Sequence, residues 1–202
     1  MKMKYNQKLI EQAVINKGYK WFTRGNYNLN IVGIRNSNTT QVTNKFDDQI
    51  TLSYYKFGKP VYHEFKATTD PGSHWERNLL NPNGVAILVP DQYRSSHEIR
   101  LHQGKYNALC QKKPVKVYRD KNKDGVYDLS EENIHEGIYG INIHRATSKK
   151  GGISTQVDRW SAGCQVIASN SDFYLFMNIL YKSKKLYGNS FTYTLIESKD
   201  IV

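Results

Sequence analysis

The sequence predicts a mainly β protein, a sandwich or barrel with a helix near its start and a second helix after Cys164. Three observations predict it. Short runs rich in Tyr, Thr, Val and Ile recur at close, even spacing. Clusters of Gly, Pro and Asn punctuate them. Two stretches, and no more, place apolar residues at helical spacing. At 202 residues the chain suffices for one domain with a substantial core and would cramp a second. Residues 1–202 are therefore read as a single domain, with the first helix and accessory strands over 1–84 and the core over 85–202.

Taken in order, Asn6 to Asn16 carries Leu9, Ile10, Ala13 and Val14 on one helical face, and Gly18 supplies the stop. Tyr27 to Arg35 alternates as a strand, and Asn36 to Thr40 is a polar turn. Ile50 to Tyr55 and Val61 to Thr68 read as a hairpin reversed across Lys56–Pro60. Thr69 to Trp75 is a turn, either a packed loop anchored by Trp75 or a loop that grips a substrate. Val85 to Val89 is a short buried strand closed by Pro90. His97 to Leu101 and Tyr106 to Gln111 pair around Gln103-Gly104, and Val115 to Tyr118 starts the next strand. Ile141, Ile143 and Ala146 alternate with Asn142 and His144, as a half-buried strand does. Ser169-Asn170-Ser171 offers N-cap oxygens for a helix from Asp172 to about Tyr181, whose stripe of Phe173, Phe176, Met177 and Leu180 marks a packed face. Phe191 to Ile196 is the closing strand.

The chemistry concentrates between Ile141 and Ile167. A thiol attacks as its thiolate, and an unperturbed Cys at about 8.5 is mostly protonated at neutral pH, so it needs a base beside it. His144 is that candidate base. Ser161-Ala162-Gly163 leads into Cys164 through small residues suited to a tight turn with open backbone N–H groups, the donors an acyl-transfer oxyanion needs. On residue types alone a buried Cys and a strand His also suit a plain core. Asp158 and a backbone carbonyl are the two candidates for orienting His144. Arg145 and Arg159 flank the two segments, either as contacts for a substrate's acid groups or as solvated surface charges. The other cysteine, Cys110, sits in a strand-like run and suits a buried structural role; two cysteines make no disulfide framework.

Asp120, Asn122, Asp124, Gly125, Asp128 and Glu131 satisfy the calcium-loop spacing D-x-[DN]-x-[DN]-G-x5-E, with oxygens for a hard cation and a Gly for the sharp bend. The expectation is a structural Ca²⁺ bracing the entry to the His144 strand; the competing account is an Asp/Asn-rich turn without metal. The flanks differ from an EF-hand, because Pro114 to Arg119 is strand-like and Tyr127 replaces a small aliphatic. Nothing points to an organic cofactor.

A formal charge of +11 favours anionic partners such as nucleic acid, wall polymers or carboxylate-bearing peptides. The basic residues are scattered, apart from a short run at Lys182 to Lys185, and no zinc-finger or RNP-type motif appears, which argues against specific nucleic-acid reading. No stretch approaches a membrane span, and the polar start lacks the apolar core of a signal peptide.

A strand ending Ile143-His144, a glycine-containing loop and then Ser161-x-Gly163-Cys164 resembles the catalytic signature of the L,D-transpeptidase (YkuD-like) domain. The likeness covers about Val85 to Ile196, and Asp172 at the start of the following helix resembles the family's Asn-Asp after the Cys. It looks like a divergent variant, of the type found in gut bacteria and their phages. The family usually reads Ser-His-Gly-Cys-x-Arg, where this chain has Ala162 and Val166. The resemblance implies a YkuD-like β-sandwich or barrel with His144, Ser161, Gly163 and Cys164 in the catalytic site. It also implies action on peptidoglycan stem peptides through a Cys acyl-enzyme, as a transpeptidase or a peptidase. The alternative is a catalytically silent form of the same fold, serving as a structural or wall-binding component of a phage virion or a wall assembly. The sequence names no location; the cell envelope or a phage particle would be reached only if some other route delivers the chain there.

Overall fold

The computed structural model describes residues 4–201. Eight strands close into a barrel: β1 (Asn30–Arg35), β2 (Asp48–Lys56), β3 (Lys59–Thr68), β5 (Gln92–His102), β6 (Tyr106–Gln111), β9 (Ile143–Arg145), β10 (Gln165–Ile167) and β11 (Phe191–Glu197). Their order around it is β1-β11-β5-β6-β9-β10-β3-β2. The remaining strands, β4 (Val85–Leu88), β7 (Val115–Asp120) and β8 (Ile134–Gly137), form a small antiparallel sheet in the order β4-β7-β8. Three α-helices stand among the described residues: α1 (Gln7–Asn16), α2 (Ser73–Arg77) and α3 (Asn170–Tyr187). The mainly β class and the barrel are thus as the strand spacing predicts. β1, β2 and β3 are staves of the same barrel as the strands that carry the site, since β1 pairs with β11 and β3 with β10.

The reversal between β2 and β3 is tighter than the expected five-residue turn. Phe57 and Gly58 alone make it, both at positive φ (50° and 75°), the backbone that a two-residue hairpin loop requires. Pro60 therefore lies inside β3, opposite Tyr55. It is tolerated because β10 pairs with β3 only at Ala67 and Thr68, leaving the Pro60 end an edge. Thr69 to Trp75, expected as a turn, winds into α2. Helix α3 runs on to Tyr187 because its buried stripe continues through Ile179, Leu180 and Ser183. Ser169 caps its start by accepting the Asp172 N–H, and Lys184 and Lys185 sit in the last turn, where the helix dipole favours cations.

One core fills the barrel and continues onto α3. Ile31, Ile50, Leu52, Phe65, Leu109, Ile143, Ile167, Tyr193 and Leu195 belong to it, with Phe173, Phe176 and Leu180 from the helix. The small sheet adds Ala86, Leu88, Val115 and Val117 to the same core. α1 covers the other side of β1 and β11, packing Ile10, Ala13 and Val14 on Val32, Ile34 and Ile196. Phe176 is completely buried, so its truncation to Ala would cost about 3–5 kcal/mol.

A buried ionic corner fixes the approach to α2. The Arg35 guanidinium donates to the carbonyls of Leu88 (2.9 Å) and Thr69 (3.1 Å) and pairs with Asp70 at 2.8 Å. Asp48 accepts both the N–H and the hydroxyl of Thr69. Burial and then the neighbouring Asp70 push the Asp48 carboxyl up to about 7, against the pull of two N–H donors and Arg35.

Candidate active site

Strands β9 and β10 run parallel in the register Gln165↔Ile143, Val166↔His144 and Ile167↔Arg145. Cross-strand partners share a face. Ile143 and Ile167 point into the barrel core, while Val166 packs outside it with Phe46, Ala146 and Val157. His144 shares that outer face, and Cys164, one residue before β10, packs against the same outer cluster. The two residues line one cavity of about 570 Å³.

The turn that delivers Cys164 is held by Ser161. Its hydroxyl donates to the Cys164 carbonyl at 2.7 Å and accepts the Gly163 N–H at 3.1 Å, and its own carbonyl accepts the Gly72 N–H at 2.8 Å. Ser161 is fully buried, so it clamps the turn and is closed off from the cavity. Gly163 has φ +127° and lies against the Ala86 carbonyl, where a side chain would collide with backbone. The expected oxyanion donors are affected directly: the Gly163 N–H is spent on Ser161. The Cys164 N–H has no acceptor among the described residues, which leaves it as the free donor of the turn.

Hydrogen bonding fixes the tautomer of His144. Its Nδ1 stands 2.9 Å from the Arg145 carbonyl, and a carbonyl only accepts, so Nδ1 carries the proton and Nε2 is left unprotonated. A backbone carbonyl is thus the orienting group. Asp158 is engaged elsewhere, accepting from Asn44 at 2.7 Å and from Ser73 at 3.4 Å. The thiol of Cys164 donates to the Gly140 carbonyl at 3.2 Å, not to His144.

Both groups are neutral at rest. Burial, then the neighbouring His102, pull His144 down to about 3, against its bond to the Arg145 carbonyl. Cys164 keeps part of its surface on the cavity, yet the protein crowding it pushes the thiol up to about 11, with only the Asn142 N–H pulling the other way. The cavity is thus lined by a protonated thiol and a neutral imidazole.

Several residues that no sequence motif marks complete the site. His102 and Tyr106 face each other at the end of the β5–β6 hairpin. The His102 ring stacks on His144 at 4.3 Å between centroids, and its Nδ1 takes a hydrogen bond from the Asn142 amide at 3.1 Å. The Tyr106 hydroxyl stands 3.5 Å from His144 Nδ1. Arg145 lies over the Tyr106 ring at 4.2 Å and donates to the Tyr174 hydroxyl at 2.8 Å, so this flanking arginine is held by two aromatic side chains. Arg159 is exposed on the rim, its carbonyl accepting the Trp75 indole N–H at 3.1 Å. Lys105, Arg145 and Arg159 line the cavity and no Asp or Glu does; Trp75, Trp160 and Leu80 supply apolar wall. A hairpin turn flanked by His and Tyr was the available signal, but nothing local in it points toward a strand forty residues on.

The Asp120–Glu131 loop is not gathered around one point. Among the described residues no three His, Cys, Asp or Glu side chains stand together in a way that could hold a metal. Asp128 has both oxygens engaged, with the Ser130 N–H and with Asn133 at 2.6 Å. Glu131 is exposed and opens a 3-10 turn. Asn122 and Asp124 accept backbone N–H groups two residues on. Asp120 is buried, with Oδ1 accepting the Asn122 N–H and Oδ2 accepting nothing.

No family model, no curated protein and no solved structure matches the chain. No helix among the described residues is long and apolar enough to cross a membrane.

Proposed function

We propose that the chain is a cysteine acyl-transfer enzyme of L,D-transpeptidase type, acting on peptidoglycan stem peptides as a transpeptidase or an L,D-peptidase. The observation that carries this reading is one cavity lined by both Cys164 and a His144 whose tautomer leaves Nε2 free. Attack begins when the thiol leaves the Gly140 carbonyl for Nε2. Sulfur adds to the substrate carbonyl as His144 takes the proton, and the oxyanion meets the Cys164 N–H. The tetrahedral intermediate then expels the leaving amine, which receives that proton, and an incoming amine or water releases the acyl group from sulfur. Lys105, Arg145 and Arg159, with no carboxylate opposing them, suit an acyl donor that carries acid groups.

A second reading has its own observation. The thiol is bonded to Gly140 and raised far above neutrality, as in a catalytically silent fold kept for a structural or wall-binding role. Incubation with a carbapenem followed by intact-mass measurement separates the two. In an enzyme Cys164 opens the β-lactam ring and the chain gains the mass of one intact carbapenem, a gain that Cys164→Ala abolishes and His144→Ala slows. A wild-type chain that stays unmodified, and inert toward a stem tetrapeptide, would belong to the structural class.

A further inference from the structure

The buried end of β7 carries an unmatched negative charge. Asp120 is only 2 % exposed and its Oδ2 has no hydrogen-bond partner. No Lys or Arg pairs with it among the described residues, in a chain of net charge +11. A buried carboxylate with one oxygen unsatisfied is disfavoured unless a counter-charge arrives.

Glu76 is the residue that the loop spacing could not reveal. It belongs to α2, is 3 % exposed, and its Oε1 accepts the Gly125 N–H at 3.1 Å. Its second oxygen makes no hydrogen bond among the described residues. The loop and the α2 segment are joined again where the Tyr127 hydroxyl donates to the Pro71 carbonyl at 2.6 Å. A buried carboxylate from outside the loop is therefore docked on the Gly at the loop's bend, while Glu131 points to solvent and Asp128 serves the next turn.

We propose that Asp120, Asn122 and Asp124 together with Glu76 of α2 bind one Ca²⁺, Glu76 taking the place that the spacing assigns to Glu131. The donors are all oxygen, which suits Ca²⁺ with its six to eight oxygen ligands and variable geometry. The carboxylates do not converge as they stand, so binding draws the Asp124 and Glu76 side chains toward Asp120 Oδ2. Because the same α2 segment is bonded to Ser161 through Gly72 and to Arg159 through Trp75, the ion would fasten the wall of the cavity that holds Cys164.

The test is calorimetric titration of chelator-stripped protein with Ca²⁺ alone, with melting curves alongside. One Ca²⁺ per chain and a higher Tm are expected, and Asp120→Asn and Glu76→Gln should each weaken binding about tenfold or more while Glu131→Gln leaves it unchanged. All three changes are near-isosteric; should Asp120→Asn fail to fold, Glu76→Gln decides. No heat and no Tm change up to millimolar Ca²⁺ would overturn the proposal. So would loss of binding in Glu131→Gln with Glu76→Gln unaffected. None of these readouts depends on the acyl-transfer reading of Cys164.

Discussion

Lowering the pH distinguishes a neutral Cys164–His144 pair from a preformed thiolate–imidazolium pair. A base must be unprotonated to accept the thiol proton, so the acid limb of the acylation rate follows His144. With His144 pulled to about 3 by burial and His102, the ring is about 99 % unprotonated at pH 5. An unperturbed His near 6.5 would be only about 3 % unprotonated there. The two cases differ about thirtyfold in rate at one pH. On the alkaline side, a thiol pushed up to about 11 gives no plateau near 8.5. The assay is the rate of Cys164 acylation by a carbapenem between pH 4.5 and 9, followed by intact mass, with circular dichroism to confirm a folded chain at each pH. A level rate down to pH 5 is expected. A rate that falls with a midpoint near 6.5 would refute the buried neutral imidazole, and a thiol inflection below pH 8 would refute the neutral pair altogether.

Gly163→Ala forces a side chain into φ +127° and onto the Ala86 carbonyl, which should cost about 3 kcal/mol or more and lower Tm by about 6–12 °C. Gly104→Ala, at φ +70° in open space, carries only the backbone term and is the control; equal losses in the two would show that the Ala86 contact is not the cause. His97 is completely buried between Ser96 and the Ile141 carbonyl and is pulled down to about 4, by burial first. The unfolded chain therefore binds the proton more readily, so this contribution is whole above about pH 6.5 and is lost as pH falls toward 4, by about 2 kcal/mol at pH 5. In urea unfolding, the stability gap between wild type and His97→Gln should shrink by that amount from pH 8 to pH 5, and a constant gap would contradict it.

The parts of the fold legible in sequence are those set by local pattern. The α1 face, the α3 stripe and most strands follow from spacing alone, because apolar period and turn residues act within a few positions. What escaped is set by partners far along the chain. Pro60 inside β3 depends on β10 not pairing at that end, and α2 is fixed by contacts with Asn44, Ser161 and Arg159. The same division runs through the site. His144 and Cys164 could be paired from the segment that contains them, since parallel neighbours joined by one loop lie close. The choice of Arg145 carbonyl over Asp158 could not, because Asp158 is drawn away by Asn44, more than a hundred residues earlier.

The residues around Cys164 say little about the charge of the site. Beside the sulfur, the turn itself offers only the small side chain of Ala162 to the cavity. In the fold an imidazole does stand in the site, but it comes from the β5–β6 hairpin as His102, stacked on His144. The Asn142 amide that donates to His102 Nδ1 has its other end fixed, with Oδ1 accepting the Gln111 N–H at 2.8 Å. His102 therefore keeps an acceptor Nδ1 and its own proton on Nε2. Burial, then Lys105 and Arg100, disfavour its cation as well. Two stacked rings that each resist protonation reinforce one another, since a charge on either one raises the cost of a charge on the other. The hairpin thus helps hold His144 as a neutral base, a role that depends on the register of β5 against β6 and leaves no mark in the residues around Cys164.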